Sequence, residues 1–465
     1  MSVISLSELR AGNPKQRMDS QYFGHAALAA TAAIEAKPFV RLGSIVDVFR
    51  KGIFDIKAES YTEQGDGVPF VRIGDLRDGL INAATTEWIS AEAHELEKKT
   101  ALKFADIIIS KTAYPAAAFV NVAECNTSQD TIAVKLSKTA QSHFKSGYVI
   151  AFLNSRIGMT LMQREFQGNV QLHLSLDDGK KLPIPKLNFE FQTKIDNLIR
   201  AIDAVNVEQE LALEKAELAL LASLGLDGWA PPEPLTYTAR AADAVTSVRL
   251  DAQFHAPRIR ALLDLLSRDG RKLSDIAAPR RDRFSASKHD HFNYIEIGDV
   301  EGGGGLAATL LDSAEAPSRA TWHVRTGDVL TSTVRPIRRL SAIVAPEQEG
   351  YVASSGFAVL QPTRVTSEVL MTFLRLPAIC GLMDLYASAS MYPAISEADI
   401  LGLPIPIFSE ALSEAVTQSV QSAFAARERS RALLAYAKRA VEIAIEEGEV
   451  AALAYLAEKN GIING

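Results

Sequence analysis

The tetrapeptide Leu-Pro-Ile-Pro occurs twice, at Leu182–Pro185 in "KKLPIPKLNFEFQTKIDNLI" and at Leu403–Pro406 in "LGLPIPIFSEALSEAVTQSV". Each copy stands just ahead of a long run with helical periodicity, and the copies are 221 residues apart in a chain of 465. Proline lacks an N–H and restricts the residue before it to extended conformations. Two prolines one residue apart therefore make a stiff extended exit that aims the helix behind it. A single copy reads as an ordinary proline-bounded loop. Two copies at half-chain spacing indicate a duplicated architecture.

Other landmarks repeat in the same order. "RMDSQYF" (Arg17–Phe23) resembles "RLDAQFH" (Arg249–His255) at an offset of 232. "FVRIGDL" (Phe70–Leu76) pairs with "YIEIGDV" (Tyr294–Val300) at 224, and "ADIIIS" (Ala105–Ser110) with "GDVLTS" (Gly327–Ser332) at 222. An internal repeat of this kind organises every finer reading. In each half, short β-rich runs bounded by Gly, Asp and Asn ("GVPFVRIGDL", "ADIIISKT", "TIAVKL"; "FNYIEIGDV", "GDVLTSTV", "FAVLQP") read as strands. "GYVIAFLNSRIGMTLMQREF" and "SEVLMTFLRLPAICGLMDLY" read as helices after them. Each half is thus an α+β body followed by a helix.

Behind the first Leu-Pro-Ile-Pro, Ile195, Leu198, Ile202, Val205, Ala212, Ala216 and Ala219 follow alternating three- and four-residue steps, with Gln209 in one slot. Behind the second, Val416, Val420, Phe424, Leu433, Ala437, Val441 and Ala444 give a discontinuous, alanine-rich stripe. Neither helix is stable alone in water, so the two are expected to pack on each other. "LGLDGWAPPEPLTYTAR" (Leu224–Arg240) reads as the connection, its Gly-Leu-Asp-Gly ending the first helix. The expected plan is residues 1–187 as a first domain, 188–225 as a helix, 226–246 as a linker, 247–407 as a second domain, and 408–465 as a second helix with a tail.

A chain of 465 residues exceeds what one core supports. Hydrophobic residues at 47% and charged residues at 23% are ordinary for a soluble protein. "MSVISLSELRAGNPKQ" has no apolar leader core, and no run approaches the ~20 apolar residues of a membrane span, so a cytoplasmic protein without a membrane partner is expected. Cys125 and Cys380 fit no metal or redox spacing. The net charge of −7 is uneven: residues 188–235 carry nine acids and three bases, residues 408–465 eight and six, which leaves the rest near +1. Net charge therefore neither favours nor excludes a nucleic acid.

The common catalytic signatures are missing. There is no phosphate-binding Gly-x-x-x-x-Gly-Lys-Ser/Thr loop, no nucleophile elbow, and no Asn/Asp-Pro-Pro-aromatic tetrapeptide. "EGGGGL" (Glu301–Leu306) reads as a flexible hairpin tip, and "HDH" (His289–His291) as a solvated turn without metal-ligand spacing. The expectation is a non-enzyme that needs no cofactor. Basic residues do cluster at equivalent places. Arg50 and Lys51 lie early in the first body, and Arg280, Arg281, Arg283 and Lys288 early in the second. After "ADIIIS" come Lys111, Thr112 and Tyr114; after "GDVLTS" come Arg335, Arg338 and Arg339. Such side chains contact phosphates and base edges. Recurrence just beyond matched strands makes these residues, Arg280 excepted, the candidate DNA-binding set.

Taken together, "GVPFVRIGDL", "FADIIISKT", "NTSQDTIAVKL", "FLNSRIG" and "KLPIPKLNFEFQTKI", followed by "YIEIGDV", "RTGDVLTSTVRP", "SSGFAVLQP" and "LGLPIPIFSEAL", resemble the specificity subunits of type I restriction–modification enzymes. The resemblance implies two tandem target-recognition domains, each followed by a long helix. The helices would pack as an antiparallel coiled coil with internal pseudo-two-fold symmetry. It further implies that each domain reads half of a split sequence in double-stranded DNA. Two adenine-specific methyltransferase subunits would dock on the chain, with a motor-nuclease subunit as an optional partner. "HAALAATAAIEAKP" and "APRIRALLDLLSRDG" add an amphipathic helix ahead of each first strand, a feature also found in specificity proteins of other methylation-linked defence systems. That leaves such a system as the alternative, with a self-sufficient DNA-modifying enzyme and a coiled-coil scaffold as the rivals. A helix from Asn188 to Leu224 would be about 55 Å long at 1.5 Å per residue, against about 34 Å for one turn of DNA.

Overall fold

The computed structural model describes residues 17–459 other than 20, 78, 83–84, 169–170, 232, 243–244, 246–248 and 388–393. The amino-terminal stretch read above as lacking a leader, and part of the expected linker, lie outside the described residues. The architecture is mixed α+β, and a helix of 36 residues, Phe189–Leu224, follows the first body. The chain divides into two compact units: unit 1 takes residues up to Asn206 and from Arg427 onward, and unit 2 is Val207–Ala426. Each unit thus holds one α+β body and a segment of both long helices, the second being Glu410–Glu446.

In unit 1, a six-stranded sheet runs in the order Val46–Lys51, Thr131–Leu136, Ile107–Ser110, Ala117–Phe119, Leu80–Ile81, Leu76–Arg77. A second sheet runs Tyr61–Thr62, Glu87–Ile89, Val68–Val71, Glu124–Thr127, Leu102–Lys103, with Val68–Val71 and Glu124–Thr127 parallel. In unit 2, one sheet runs Ala277–Pro279, Phe357–Pro362, Val329–Ser332, Ser341–Ile343. The other runs Thr309–Asp312, His291–Ile295, Val352–Ser354, Ala320–His323, again with a parallel central pair. Ile107–Ser110 in unit 1 and Val329–Ser332 and Val352–Ser354 in unit 2 are buried along their whole length, as strands covered on both faces are.

Each body carries a broken helix pair on its sheets. In unit 1 the pair is Ser146–Leu153 and Arg156–Glu165. Ser155 caps the second helix by accepting from the Gly158 amide at 3.1 Å. A Cβ on Gly158 would sit 2.0 Å from the Phe152 carbonyl, so only glycine lets the two helices meet at this angle. In unit 2 the pair is Ser367–Arg375 and Pro377–Tyr386, and the break is made by Pro377 at the first helical position.

The two Leu-Pro-Ile-Pro segments are short strands that close back on the start of their own bodies. Pro183–Pro185 pairs antiparallel with Phe39–Arg41, in register Phe39↔Pro185, Val40↔Ile184, Arg41↔Pro183. The flanking bonds are Leu42 N–H to the Leu182 carbonyl at 2.9 Å and Lys186 N–H to the Pro38 carbonyl at 2.8 Å. Antiparallel ladders alternate between bonded and non-bonded pairs. Ile184 therefore occupies a bonded position, while both prolines fall where no N–H is required. In unit 2 the Ile405 N–H donates to Arg271 at 3.1 Å and the Leu273 N–H to Leu403 at 2.9 Å, while Pro404 faces Lys272. Leu182, Ile184, Leu403 and Ile405 are all buried. The motif thus sends leucine and isoleucine inward, uses the isoleucine amide, and puts proline where a missing donor does no harm.

The repeated Arg-x-Asp is also a clasp. Arg17 donates to the Arg164 carbonyl at 2.6 Å and to the Phe166 carbonyl at 3.3 Å, satisfying the last turn of the Arg156–Glu165 helix. It is held by Asp19 at 2.8 Å, and Asp19 also accepts from the Tyr22 amide at 2.9 Å. In unit 2, Arg249 donates to the Leu385 carbonyl at 3.0 Å, pairs with Asp251 at 2.6 Å, and Asp251 accepts from the Phe254 amide at 3.0 Å. The guanidinium beside each aspartate holds its carboxyl below the ordinary 3.8.

Two measurements test these clasps. In urea unfolding, Ile184→Ala is expected to cost about 2–5 kcal/mol, because it empties a fully buried site. Pro183→Ala, at the non-bonded position, is expected to change stability by less than about 1 kcal/mol; comparable losses in both would refute the division of labour. Because the Asp19 and Asp251 carboxyls are lowered on folding, their contribution is complete at neutral pH and lost as pH falls through the lowered values, below 3.8. Asp19→Asn and Asp251→Asn chains are therefore expected to be less stable than the unaltered chain at pH 7 and to converge with it only once the pH has fallen below those lowered values.

Candidate nucleic-acid interface

At one end of the six-stranded sheet of unit 1, three loops converge. Lys51 ends its strand opposite Ile132, which itself pairs with Ile109. The chain then turns at Gly52, where a Cβ would lie 2.2 Å from the Thr127 carbonyl, so the turn presses against the Thr127–Asp130 loop. Lys111 follows Ser110, and its amide donates to the Asp130 carbonyl at 2.8 Å. Ala113 then takes a left-handed φ of 61°. The result groups Lys51, whose ammonium lies 4.7 Å from the Phe54 ring, with Lys111 and the exposed Tyr114. The Tyr114 hydroxyl reaches the Ile73 carbonyl at 3.4 Å. Arg50 is exposed, but as the strand neighbour of Lys51 it points to the opposite face. Thr112 is buried and bridges to His173, so it supports the loop from beneath.

The corresponding end of the unit 2 sheet is richer in guanidinium groups, and several are already tied. Arg280 makes a two-point pair with Asp328, at 3.0 and 2.6 Å. Arg281 makes a two-point pair with Glu397 on the Glu397–Gly402 helix. Arg283 lies 5.3 Å from the Trp322 ring, with Arg281 on the same ring at 5.9 Å. Lys288 is exposed on the Ala286–Lys288 turn. His289 stacks on Phe284 at 5.4 Å, close to His323, which makes "HDH" part of an aromatic surface.

The hairpin joining Val329–Ser332 to Ser341–Ile343 carries the other three arginines. Ser110 and Ala117 bracket six residues in unit 1, whereas Ser332 and Ser341 bracket eight in unit 2. Arg335 and Arg339 both adopt left-handed backbone, φ 50° and 59°, on either side of the short turn Pro336–Arg338. Arg375 anchors the hairpin by donating to the carbonyls of Arg339 and Ser341 at 3.0 Å each, and to that of Gly302. Burial, with the Arg339 charge beside it, brings the Arg375 guanidinium down to about 10. Arg339 itself turns to Glu217 of the first long helix and to the Arg375 carbonyl. What the anchored turn leaves exposed is Arg335, Ile337 and Arg338. The "EGGGGL" tip is a hairpin turn, but it is packed rather than free: Gly303 abuts Gln209 and Gly304 abuts Met371.

Among the described residues, no group of three or more His, Cys, Asp or Glu is placed to hold a metal. Nor is any single helix there long and apolar enough to cross a membrane. Both cysteines are buried, and burial pushes both thiols up, Cys380 to about 11. Trp322, Glu397, Phe54 and Ile337 were outside the sequence-based set. A tryptophan between arginines and a glutamate following a capping serine carry no recurrent spacing, so only the fold reveals them.

Residues 35–215 match the family model of the type I restriction modification DNA specificity domain. Two solved structures are also similar. One is the HsdS subunit from Thermoanaerobacter tengcongensis, 14% identical, covering 88% of this chain and 97% of that one at a TM-score of 0.29. The other is the type I restriction–modification system S subunit from M. genitalium, 12% identical, covering 92% and 94% at a TM-score of 0.33. No curated protein is close enough in sequence to match.

Proposed function

We propose that the chain is a non-catalytic, cytoplasmic subunit that reads a bipartite sequence in double-stranded DNA, one half-site per α+β body. In this reading it directs adenine-specific methyltransferase subunits, two by symmetry, and accommodates a motor-nuclease subunit where the system has one. The observation that carries the proposal is the family match over 35–215, which covers the sheets of the first body and most of the helix behind it. The matching strand order of the second body supports a second reader.

The long helices are the ruler in this proposal. Within unit 1, the Ser430 hydroxyl donates to the Asn206 side-chain oxygen at 2.7 Å. Fourteen residues further along the first helix, Leu220 shares a unit 2 core with Val416, fourteen residues earlier on the second. That order favours an antiparallel seam, and a polar pair within an apolar seam fixes register. With 36 residues, the first helix is about 54 Å long at 1.5 Å per residue. That length suits half-sites one to one and a half DNA turns apart.

The DNA-facing residues proposed are Lys51, Lys111 and Tyr114, with Arg50 and Thr112 in supporting places, in the first body. In the second they are Arg281, Arg283, Lys288, Arg335 and Arg338, with Arg339 holding the hairpin that presents the last two. Replacing Arg335 and Arg338 by glutamine is expected to weaken binding and to reduce the slope of log affinity against log salt by up to about two, near one for each phosphate no longer neutralised. An unchanged slope would remove both from the interface. For the ruler, four residues inserted after Glu210 and four after Ala426, positions that face each other in this register, lengthen both helices by about 6 Å. The gap between methylated half-sites should then grow by about two base pairs at 3.4 Å each, with both half-sites unchanged. Methylation mapping that showed altered half-site bases instead would sink the ruler.

A further inference from the structure

Unit 2 has an open recess of about 570 Å³ at the sheet end, lined by Arg281, Arg283, Trp322, Thr333, Ser355 and Glu397 among others. Its charged lining is two guanidinium groups, Arg281 and Arg283, against the one carboxylate of Glu397. Arg283 lies against Trp322. A surface that meets a polyanion should exclude carboxylates, yet Glu397 stands in the recess with its charge matched by Arg281. The side chains are 26% and 58% exposed, so the pair contributes little to stability in water. Its geometry is informative. Arg281 engages Glu397 through Nη1 and Nη2, one carboxylate oxygen each. That end-on arrangement leaves the Nε-side edge of the guanidinium, with its two N–H groups, outside the pair. It also leaves lone pairs on both carboxylate oxygens.

In the major groove a G·C pair presents two adjacent acceptors, guanine N7 and O6, followed by one donor, the cytosine N4 amino group. Two donors beside an acceptor are its complement. We infer that Arg281 and Glu397 act as one unit that reads a G·C pair in the half-site of the second body, Arg281 toward guanine and Glu397 toward the cytosine amino group. Trp322 holds the Arg281 and Arg283 guanidinium groups against its ring and so limits where they can swing. The device is particular to this body. The capping serine, seven residues before each Leu-Pro-Ile-Pro, is followed by Glu397 in unit 2 but by Leu176 in unit 1. There Lys51 has Phe54 beneath it instead of a carboxylate partner.

The inference rests on the DNA-reading function proposed above, and one experiment separates the two. The full chain, alone and with its methyltransferase subunits, is used to select binders from random duplex DNA at fixed salt, followed by sequencing. The unaltered chain should enrich a bipartite motif with a G·C pair in one half-site. Arg281→Ala and Glu397→Ala should each relax that single position by roughly tenfold in preference and leave the other half-site intact. Glu397→Ala should raise general affinity, since it removes an acidic group from the mouth. If both variants keep the whole motif, the pair is only a surface ion pair and the inference is overturned. It is equally overturned if Arg281→Ala weakens all sequences alike and lowers the salt slope by about one, the mark of a phosphate contact. An unaltered chain that enriches no motif at all overturns the DNA-reading proposal, and this inference with it.

Discussion

Both bodies depend on one constraint: the chain must leave by the strand that closes its own beginning. Pro183–Pro185 lies on Phe39–Arg41, and Pro404–Ile405 lies on Arg271–Leu273, before either long helix starts. The exit is therefore fixed by backbone hydrogen bonds to the entrance. The amide of Asn188, at the start of the first long helix, is further held by the Glu449 carboxylate at 2.9 Å. Beside the same exit, the Lys37 ammonium meets the Ala444 carbonyl at 3.0 Å, close to where the second helix finishes. A helix tied in this way takes its direction from its body and not from a flexible joint.

Arginine has two separate uses in this molecule. Arg17, Arg249 and Arg375 donate to backbone carbonyls, and Arg280 to a buried aspartate, so their charge is consumed in building the fold. The exposed Arg335 and Arg338 sit on a hairpin held by one of those built-in groups. Arg375 in particular holds a hairpin whose two left-handed arginines would not keep that backbone unaided. Preorganised cations of this kind lose less conformational entropy when an anionic partner arrives.

Much of the fold was legible in the sequence. Leu-Pro-Ile-Pro marked both exits, and the expected helix start at Asn188 lies one residue from the observed Phe189. Of the seven apolar residues marked on the second helix, all but Phe424 are buried. Pro377 announces its helix break, because proline cannot continue a helix. The matching break at Ser155 gave no such signal, since what demands Gly158 is a carbonyl 2.0 Å from its absent Cβ, a proximity that only packing creates. The candidate site was legible by region and less by residue. Thr112 and Arg339 read as surface groups, but one is buried and the other turns to Glu217. Charge in a sequence gives no direction, and the ties of Arg281 and Arg339 join residues 116 and 122 positions apart.

Unit 1 is not continuous in sequence, whereas unit 2 is. A ribosome therefore finishes all of unit 2 before it adds Leu433, Ala437, Val441 and Ala444, which are buried in unit 1. Until those residues emerge, the first body has its sheets but not the helix segment that completes its core. Ile195, Ile199 and Ile202, buried in the finished molecule, belong to that waiting half. The order of synthesis is thus the reverse of the order of completion. The body made first is the last to close, and a chain cut short after unit 2 would display an apolar helix face to whatever chaperone or aggregate reached it first.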